Sequence, residues 1–275
     1  GFVLLFGLAS ACASGTTEPQ IWSPAKPFDR GRLPPQVAAL DIELEEARYL
    51  FRANGTKSYR YLVRYRVTEE RGLEKARVVS TSWAPWFQRQ PSIRVAITDP
   101  DGQTRRFDES DFEIAPVEDP PRLQMKATLR GLQVGSVIET VVEKDEHRPF
   151  FNAGSLGRFN LGGAAPVRRS RLVLQAEESV RIGWESRGFK LQPGQRVEDG
   201  LRTLTFEAED LPPIPPPRLH LPPEKTTHPH IAFSSAVSWG AVAEAYSERL
   251  NAAARNLDVK KLTRGLARAK GDVDT

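Results

Sequence analysis

From residue 58 to residue 67 the chain alternates strictly. Tyr59, Tyr61, Val63, Tyr65 and Val67 fall on one side, and Arg60, Leu62, Arg64 and Arg66 on the other. A strand sends successive side chains to opposite faces, so this is a strand with an aromatic, β-branched face to bury and a largely basic face for water. Glu69-Glu70-Arg71-Gly72 reads as the turn after it, and residues 76–80 read as the returning hairpin partner. Pro85, within Trp83-Ala84-Pro85-Trp86, ends the unit because proline cannot donate to a ladder. Upstream, residues 37–49 mix Glu, Leu and Ala in a way that favours a short helix leading into a strand near Ala47. Asn54-Gly55 is a tight-turn signal that delivers the chain into the tyrosine-rich strand.

The same pattern continues downstream. Residues 93–98 form a strand turned by Asp99-Pro100-Asp101-Gly102, where proline presets φ and glycine supplies the positive φ, and residues 103–107 return. Short strands come next at 112–117, 123–129 and 137–143, with Leu132-Gln133-Val134-Gly135 as the turn between the last two. Residues 148–166 read as an irregular cap, and strands resume at 167–175, 180–186 and 202–208. Turn signals every eight to twelve residues or so mark an all-β architecture. At 211–230 the run LPPIPPPRLHLPPEKTTHPH reads as an extended, polyproline-type strap, packed across the sandwich or joining it to the next domain. The period then changes. Ser238 can cap a helix that starts at Trp239 and places Val242, Ala243, Tyr246 and Leu250 at helical spacing to about residue 257. Residues 259–269 repeat that spacing with Leu262, Leu266 and Ala269. The fold class expected is mainly β: an antiparallel β-sandwich, in one or two β layers, with C-terminal α-helices.

Composition adds two constraints. The 22 prolines among 275 residues are about 8%, against a usual value near 5%, and suit edges and stiff connections better than long helices. The 39 basic and 35 acidic side chains are well mixed along the chain, which excludes a phosphate-tracking surface and with it a nucleic-acid partner. Cys12 is the one cysteine, so no disulfide can form within the chain. It stands after an apolar run, Phe2 to Leu8, that is too short to span a bilayer and breaks into small residues. Leu8-Ala9-Ser10-Ala11-Cys12 resembles a bacterial lipoprotein cleavage box, which implies lipidation of Cys12 and a membrane partner through that lipid. The expected organisation is a signal and lipid box at 1–12, a flexible tether at 13–36, a β-sandwich at 37–210, a proline-rich strap at 211–230 and a helical run-in to a further domain at 231–275. The expected location is the bacterial cell envelope, facing the periplasm, on the outer membrane or secreted.

Candidate chemistry is sparse. Of His220, His228 and His230, the last two stand two apart, as two zinc-binding imidazoles on a strand would, but no acid or cysteine is spaced to complete the site. Ser234-Ser235 near His230 lack the glycine elbow that exposes a nucleophile. Asp99, Asp101, Asp108 and Asp111 lack the spacing of a calcium loop. No cofactor, metal site or catalytic residue is expected in this chain. The candidate ligand or partner surface consists of Trp83, Trp86 and Phe87 around Pro85, and of Arg168, Arg169 and Arg171. The aromatic group suits an envelope peptide or glycan, and the arginines suit anionic lipid headgroups. Against both stands the plainer reading of a core corner and a strand whose arginines alternate with Val167, Leu172 and Leu174.

The order of motifs carries more than any one of them. Tyr61-Leu-Val-Arg-Tyr-Arg-Val67, the Trp83-x-Pro85 corner, Asp99-Pro-Asp-Gly102 and Gly131-Leu-x-Val-Gly135-Ser-Val-Ile-Glu139 come first. Pro166-Val-Arg-Arg-Ser-Arg-Leu172 and Ser234-Ser-x-x-Ser-Trp239 come after them. This succession, over roughly residues 49–250, resembles the bacterial domain-of-unknown-function family found immediately before transglutaminase-like domains in envelope proteins. The resemblance implies a non-catalytic β-sandwich and, after it, a papain-like domain with a Cys–His–Asp triad. None of those catalytic residues carries over, because no cysteine lies beyond Cys12. Two alternatives stay open: a standalone envelope module that binds carbohydrate or peptide, and a part of an active thiol acyl-transferase or peptidase.

Overall fold

The computed structural model describes residues 39–117, 122–214, 228–236 and 238–255. Cys12 and its tether, most of the proline-rich strap and the spacing at 259–269 lie outside the described residues. Among the described residues are fourteen strands and two α-helices: β1 (Leu40–Phe51), β2 (Lys57–Val67), α1 (Glu70–Ala76), β3 (Val78–Trp83), β4 (Ser92–Thr98), β5 (Thr104–Phe107), β6 (Glu113–Val117), β7 (Arg122–Thr128) and β8 (Val137–Asp145). They continue with β9 (Leu156–Asn160), β10 (Val167–Glu177), β11 (Gly183–Arg187), β12 (Gly194–Glu198), β13 (Leu201–Leu211), β14 (His230–Ser234) and α2 (Trp239–Arg255). The architecture is mainly β, as its turn spacing indicates.

An eight-stranded sheet, ordered β12-β13-β10-β1-β2-β8-β4-β5, is the floor of the molecule. Its neighbours are antiparallel except for β1 and β10, which run parallel. Two three-stranded sheets, β11-β14-β9 and β3-β7-β6, cover one face of it. That both lie on the same face is a consequence of register. Ala47, Tyr61, Val142 and Ile93 stand in one row across β1, β2, β8 and β4. Ala47 belongs to the core under β11-β14-β9, with Leu172, Leu174, Phe206, Ile231 and Phe233, whereas Val142 and Ile93 belong to the core under β3-β7-β6, with Trp83, Met125 and Ile97. There are thus two cores on one floor, and β2 runs between them.

The alternation along β2 sorts as its sequence indicates. Tyr59 and Tyr61 pack on the first core and Tyr65 on the second. Arg60 and Arg64 emerge on the other face, where Arg60 reaches Glu46 at 3.6 Å and Glu143 at 3.4 Å, and Arg64 reaches Glu43 at 3.0 Å.

Four readings of local structure are corrected. Residues 40–51 are strand throughout, not a helix running into one. Opposite Tyr65 stands Ile42 and opposite Arg64 stands Leu44, so Glu43 is an extra, bulged residue. The bulge moves the inward set from Leu40 and Ile42 to Glu45, Ala47, Tyr49 and Phe51, and this change of phase imitates helical spacing. The segment after β2 is the helix α1 and not a turn. Gly72 sits in it because a Cβ there would lie 2.1 Å from the Ala39 carbonyl oxygen. The hairpin partner of β2 is therefore not β3: β2 pairs with β1 and β8, and β3 crosses to pair with β7. The irregular cap contains β9, paired with β14 some seventy residues later. There Phe233 lies over Gly157, filling the space where a Cβ would come within 2.3 Å of its ring.

The proline-rich segment is described only at its two ends. Ile214 N–H donates to the Gly163 carbonyl at 2.7 Å, and the Pro229 carbonyl accepts from Leu161 N–H at 2.8 Å. Both described ends are thus hydrogen-bonded just after β9, at residues 161 and 163.

Candidate functional site

The proposed aromatic surface resolves into two different environments. Trp83 ends β3 with its side chain in the second core, 2% exposed, and takes no part in the surface. Pro85 turns the chain, and beyond it Trp86 and Phe87 stand 4.4 Å apart between ring centroids. Phe150 joins them at 5.3 and 5.2 Å, and Phe151 packs edge-on against Phe150 at 4.4 Å. The corner is tied to the floor by backbone bonds from Arg89 N–H to the Asp145 carbonyl and from His147 N–H to the Phe87 carbonyl.

Helix α2 closes this corner. Ser238 caps it, accepting the Ala241 N–H at 3.1 Å as its sequence position suggests. Two turns before its end, Arg249 lays its guanidinium 4.1 Å from the Trp86 ring centroid and 4.8 Å from that of Phe150. The same guanidinium donates a hydrogen bond to the Phe150 carbonyl. Arg148 approaches the Trp86 ring as well, at 5.4 Å, and Tyr246 meets Phe151 at 6.2 Å. A cation held over a cluster of aromatic rings with a carbonyl acceptor is a fixed docking contact. Desolvation, then the nearby Arg148 charge, lowers the Arg249 guanidinium pKa, although it remains a cation. The helix meanwhile leaves Trp239 78%, Tyr246 42% and Leu250 53% exposed. These three stand at i, i+7 and i+11, on one face of the helix.

The arginines of β10 lie elsewhere, on a strand paired on both sides by β13 and β1. Arg168 pairs with Asp41 at 2.6 Å, Arg169 with Glu207 at 2.5 Å, and Arg171 with Glu46 at 3.1 Å. Each faces a carboxylate of a neighbouring strand, so the positive charge of this run is locally balanced. The remaining polar candidates also have structural partners. His230 Nδ1 donates to the His228 carbonyl at 3.0 Å, and burial lowers the imidazole pKa. Ser235 Oγ accepts the Ser155 N–H at 2.9 Å. Asp99 takes Arg105 at 3.0 Å and the Ser136 hydroxyl at 2.8 Å, and Asp108 caps a single 3-10 turn, Glu109–Asp111. Among the described residues no group of three His, Cys, Asp or Glu is placed to hold a metal, and no helix is long and apolar enough to cross a membrane.

One arrangement escapes the sequence reading altogether. Where the two small sheets part, the inner face of the floor carries Ser170, Glu45, Val63 and Thr140 in a single row across β10, β1, β2 and β8. Tyr61 donates to Glu45 Oε1 at 2.8 Å. Tyr49, Tyr59 and Tyr61 continue beside it, with ring centroids 4.7 and 6.3 Å apart. Burial raises the Glu45 carboxyl pKa, and the Tyr61 and Ser170 hydroxyls only partly oppose it. Further along the seam, Lys144 donates from Nζ to the Ser82 carbonyl at 2.8 Å, tying the floor to β3. Burial first, and the Arg122 charge second, bring its pKa down to about 8. The signal was present in the alternation of β1, hidden by the bulge at Glu43.

Residues 53–215 match the family model described as a domain of unknown function, DUF3857, over more than half the chain. The chain belongs to the DUF3857 family. Among solved structures, the DUF3857 sandwich resembles a putative protease from Parabacteroides distasonis, with a TM-score of 0.69 and 15% identity over 78% of this chain. It spans 43% of that protein's length. An M1 zinc metallopeptidase from Deinococcus radiodurans aligns over 72% of this chain and 42% of its own at 12% identity, but with a TM-score of 0.35 that supports no argument. No curated protein matches the sequence. The likeness at TM-score 0.69 establishes a shared fold and nothing about chemistry.

Proposed function

We propose that this DUF3857 sandwich is a non-catalytic accessory domain of a bacterial envelope protein, which holds a transglutaminase-like domain next to it in a fixed orientation. The observation that carries the reading is helix α2. One part of it is anchored to the Trp86–Phe150 corner through Arg249, while Trp239 and Leu250 face outward and Tyr246, although it meets Phe151, is still 42% exposed. An isolated seventeen-residue helix is marginal in water, and an exposed apolar stripe of this kind marks a surface made to be covered. The ordered motifs from Tyr61 to Trp239 support the same reading. In it, Cys12 carries the lipid that tethers the sandwich to the membrane, and any acyl-transfer or peptidase chemistry belongs to a thiolate of the downstream domain. The burial of Trp83 and the closing of the Trp86 corner by α2 weigh against a standalone glycan-binding platform. The test is the reading frame beyond Thr275. A continuation encoding Cys, His and Asp, whose product is active only with the cysteine intact, is the expected result; a stop codon there overturns the proposal.

A further inference from the structure

We propose that the seam around Glu45 is a binding site for an organic cation of the alkylammonium or guanidinium class, with Glu45 as counter-ion and Tyr49, Tyr59 and Tyr61 as its aromatic wall. Charge pairing is the first argument. The other acids of β1 each have an arginine: Asp41 has Arg168, Glu43 has Arg64 and Arg66, and Glu46 has Arg48, Arg60 and Arg171. Glu45 points to the opposite face and is in no described ion pair. Its described neighbours are two hydroxyls, Tyr61 at 2.8 Å and Ser170, which lies beside it but has no well-aligned hydrogen-bond partner of its own. A carboxylate inside a fold with no cation is costly unless something pairs it.

Access is the second argument. Glu45, Tyr59, Tyr61 and Val63 all face inward from the floor, yet none is fully buried, where β2 passes from the first core, on which Tyr59 and Tyr61 pack, to the second, which holds Val67. The third is the wall itself. Tyrosine faces attract cations through the ring quadrupole, and a ring stack beside a carboxylate is the arrangement that recognises ammonium groups. The titratable groups facing Glu45 are Tyr61 and Tyr59 from β2 and Tyr49 from its own strand, and burial keeps all three hydroxyls neutral. Lys144, further along β8, is committed to the Ser82 carbonyl. An anion would meet the Glu45 carboxylate, and a neutral ligand would leave it uncompensated, so the seam selects positive charge.

The site does not depend on any downstream domain. Its test uses the full chain and calorimetric titration with butylammonium chloride, butylguanidinium chloride, butanol and sodium butyrate. Saturable binding of the two cations, and of neither control, is expected. E45Q keeps the size of the side chain and an acceptor for Tyr61, and should weaken binding about ten-fold or more. Y61F should weaken it about three-fold, with an unchanged melting temperature showing that the fold survives. Because ionised Glu45 is the binding form and its pKa is raised, wild-type affinity should rise with pH through that range and E45Q should lose the rise. No saturable binding by the wild type, equal binding by E45Q, or equal binding of butanol would each overturn the proposal.

Discussion

Replacing Arg249 with Gln should release helix α2 from the sandwich while leaving the sandwich folded. The guanidinium makes two close ring contacts, 4.1 Å to Trp86 and 4.8 Å to Phe150, and a hydrogen bond to the Phe150 carbonyl. At a partly exposed site such a cation–π pair contributes about 0.5–1 kcal/mol, and the charge-assisted hydrogen bond a comparable amount once water competes for it. The loss is then on the order of 1–2 kcal/mol, a factor of about 5–30 in the docked population. Few other described contacts hold α2: Tyr246 against Phe151 at 6.2 Å is the main ring contact. Undocked, a helix of seventeen residues frays. Native-state hydrogen exchange should therefore show the amides of α2 exchanging about ten-fold faster in R249Q. Those of β2 and β8, in the centre of the floor, should be unchanged. R249K should restore part of the protection, since it keeps the charge but not the planar fork. Unchanged exchange in α2, or a uniform loss of protection across the floor, would refute the docking role.

Other outcomes depend on single residues. G72A forces a Cβ to within 2.1 Å of the Ala39 backbone oxygen, which cannot rotate away, so α1 must shift. Urea unfolding should lose roughly 2 kcal/mol or more. G157A should cost roughly 1–3 kcal/mol in the same assay, because the Phe233 ring occupies the space and must move. F206A removes a fully buried ring that meets Trp184 at 5.0 Å and should cost about 3–5 kcal/mol, read as a fall in the melting temperature. Lys144 has a folded pKa of about 8, below its unfolded value near 10.4, so between those pH values the unfolded chain binds more protons and stability rises with pH. K144M should remove that rise. Tyr65 and the seam tyrosines Tyr49, Tyr59 and Tyr61 have raised pKa values and act the other way, lowering stability only as the pH climbs above about 10.

The fold was legible in sequence wherever a strand showed two different faces and its turn lay next to it. The Tyr/Val and Arg faces of β2, the Asn54-Gly55 turn and the Asp99–Gly102 turn each declare themselves within a few residues. What escaped depends on partners far along the chain. β1 looked helical because the Glu43 bulge reverses its inward phase, and only pairing with β2 and β10 reveals it. β9 looked irregular because its partner β14 lies some seventy residues away and a Phe233 ring stands in for the side chain Gly157 lacks. β12 has no buried residue and is a strand only through the Asp199-Gly200 turn, both residues at positive φ, that folds it onto β13. The candidate site divides in the same way. The Trp83–Trp86 corner was visible from Pro85, but Arg249, which makes it a docking point, lies in a helix 163 residues beyond Trp86. Glu45 was lost with the phase of its strand, and it is the one inward-facing acid of β1.

If the sandwich presents α2 as a fixed mount for a downstream domain, the outward face of α2 is covered in the complete protein. The direct measurement is to express the complete reading frame and to compare exchange protection on α2, and acyl-transfer or peptidase activity, with those of residues 1–275 alone. A downstream domain whose thiolate carries the activity is expected, with the amides around Trp239, Tyr246 and Leu250 gaining protection only in the complete protein. A complete protein in which that face stays as exposed as in residues 1–275 alone, or one with no such domain, would contradict it.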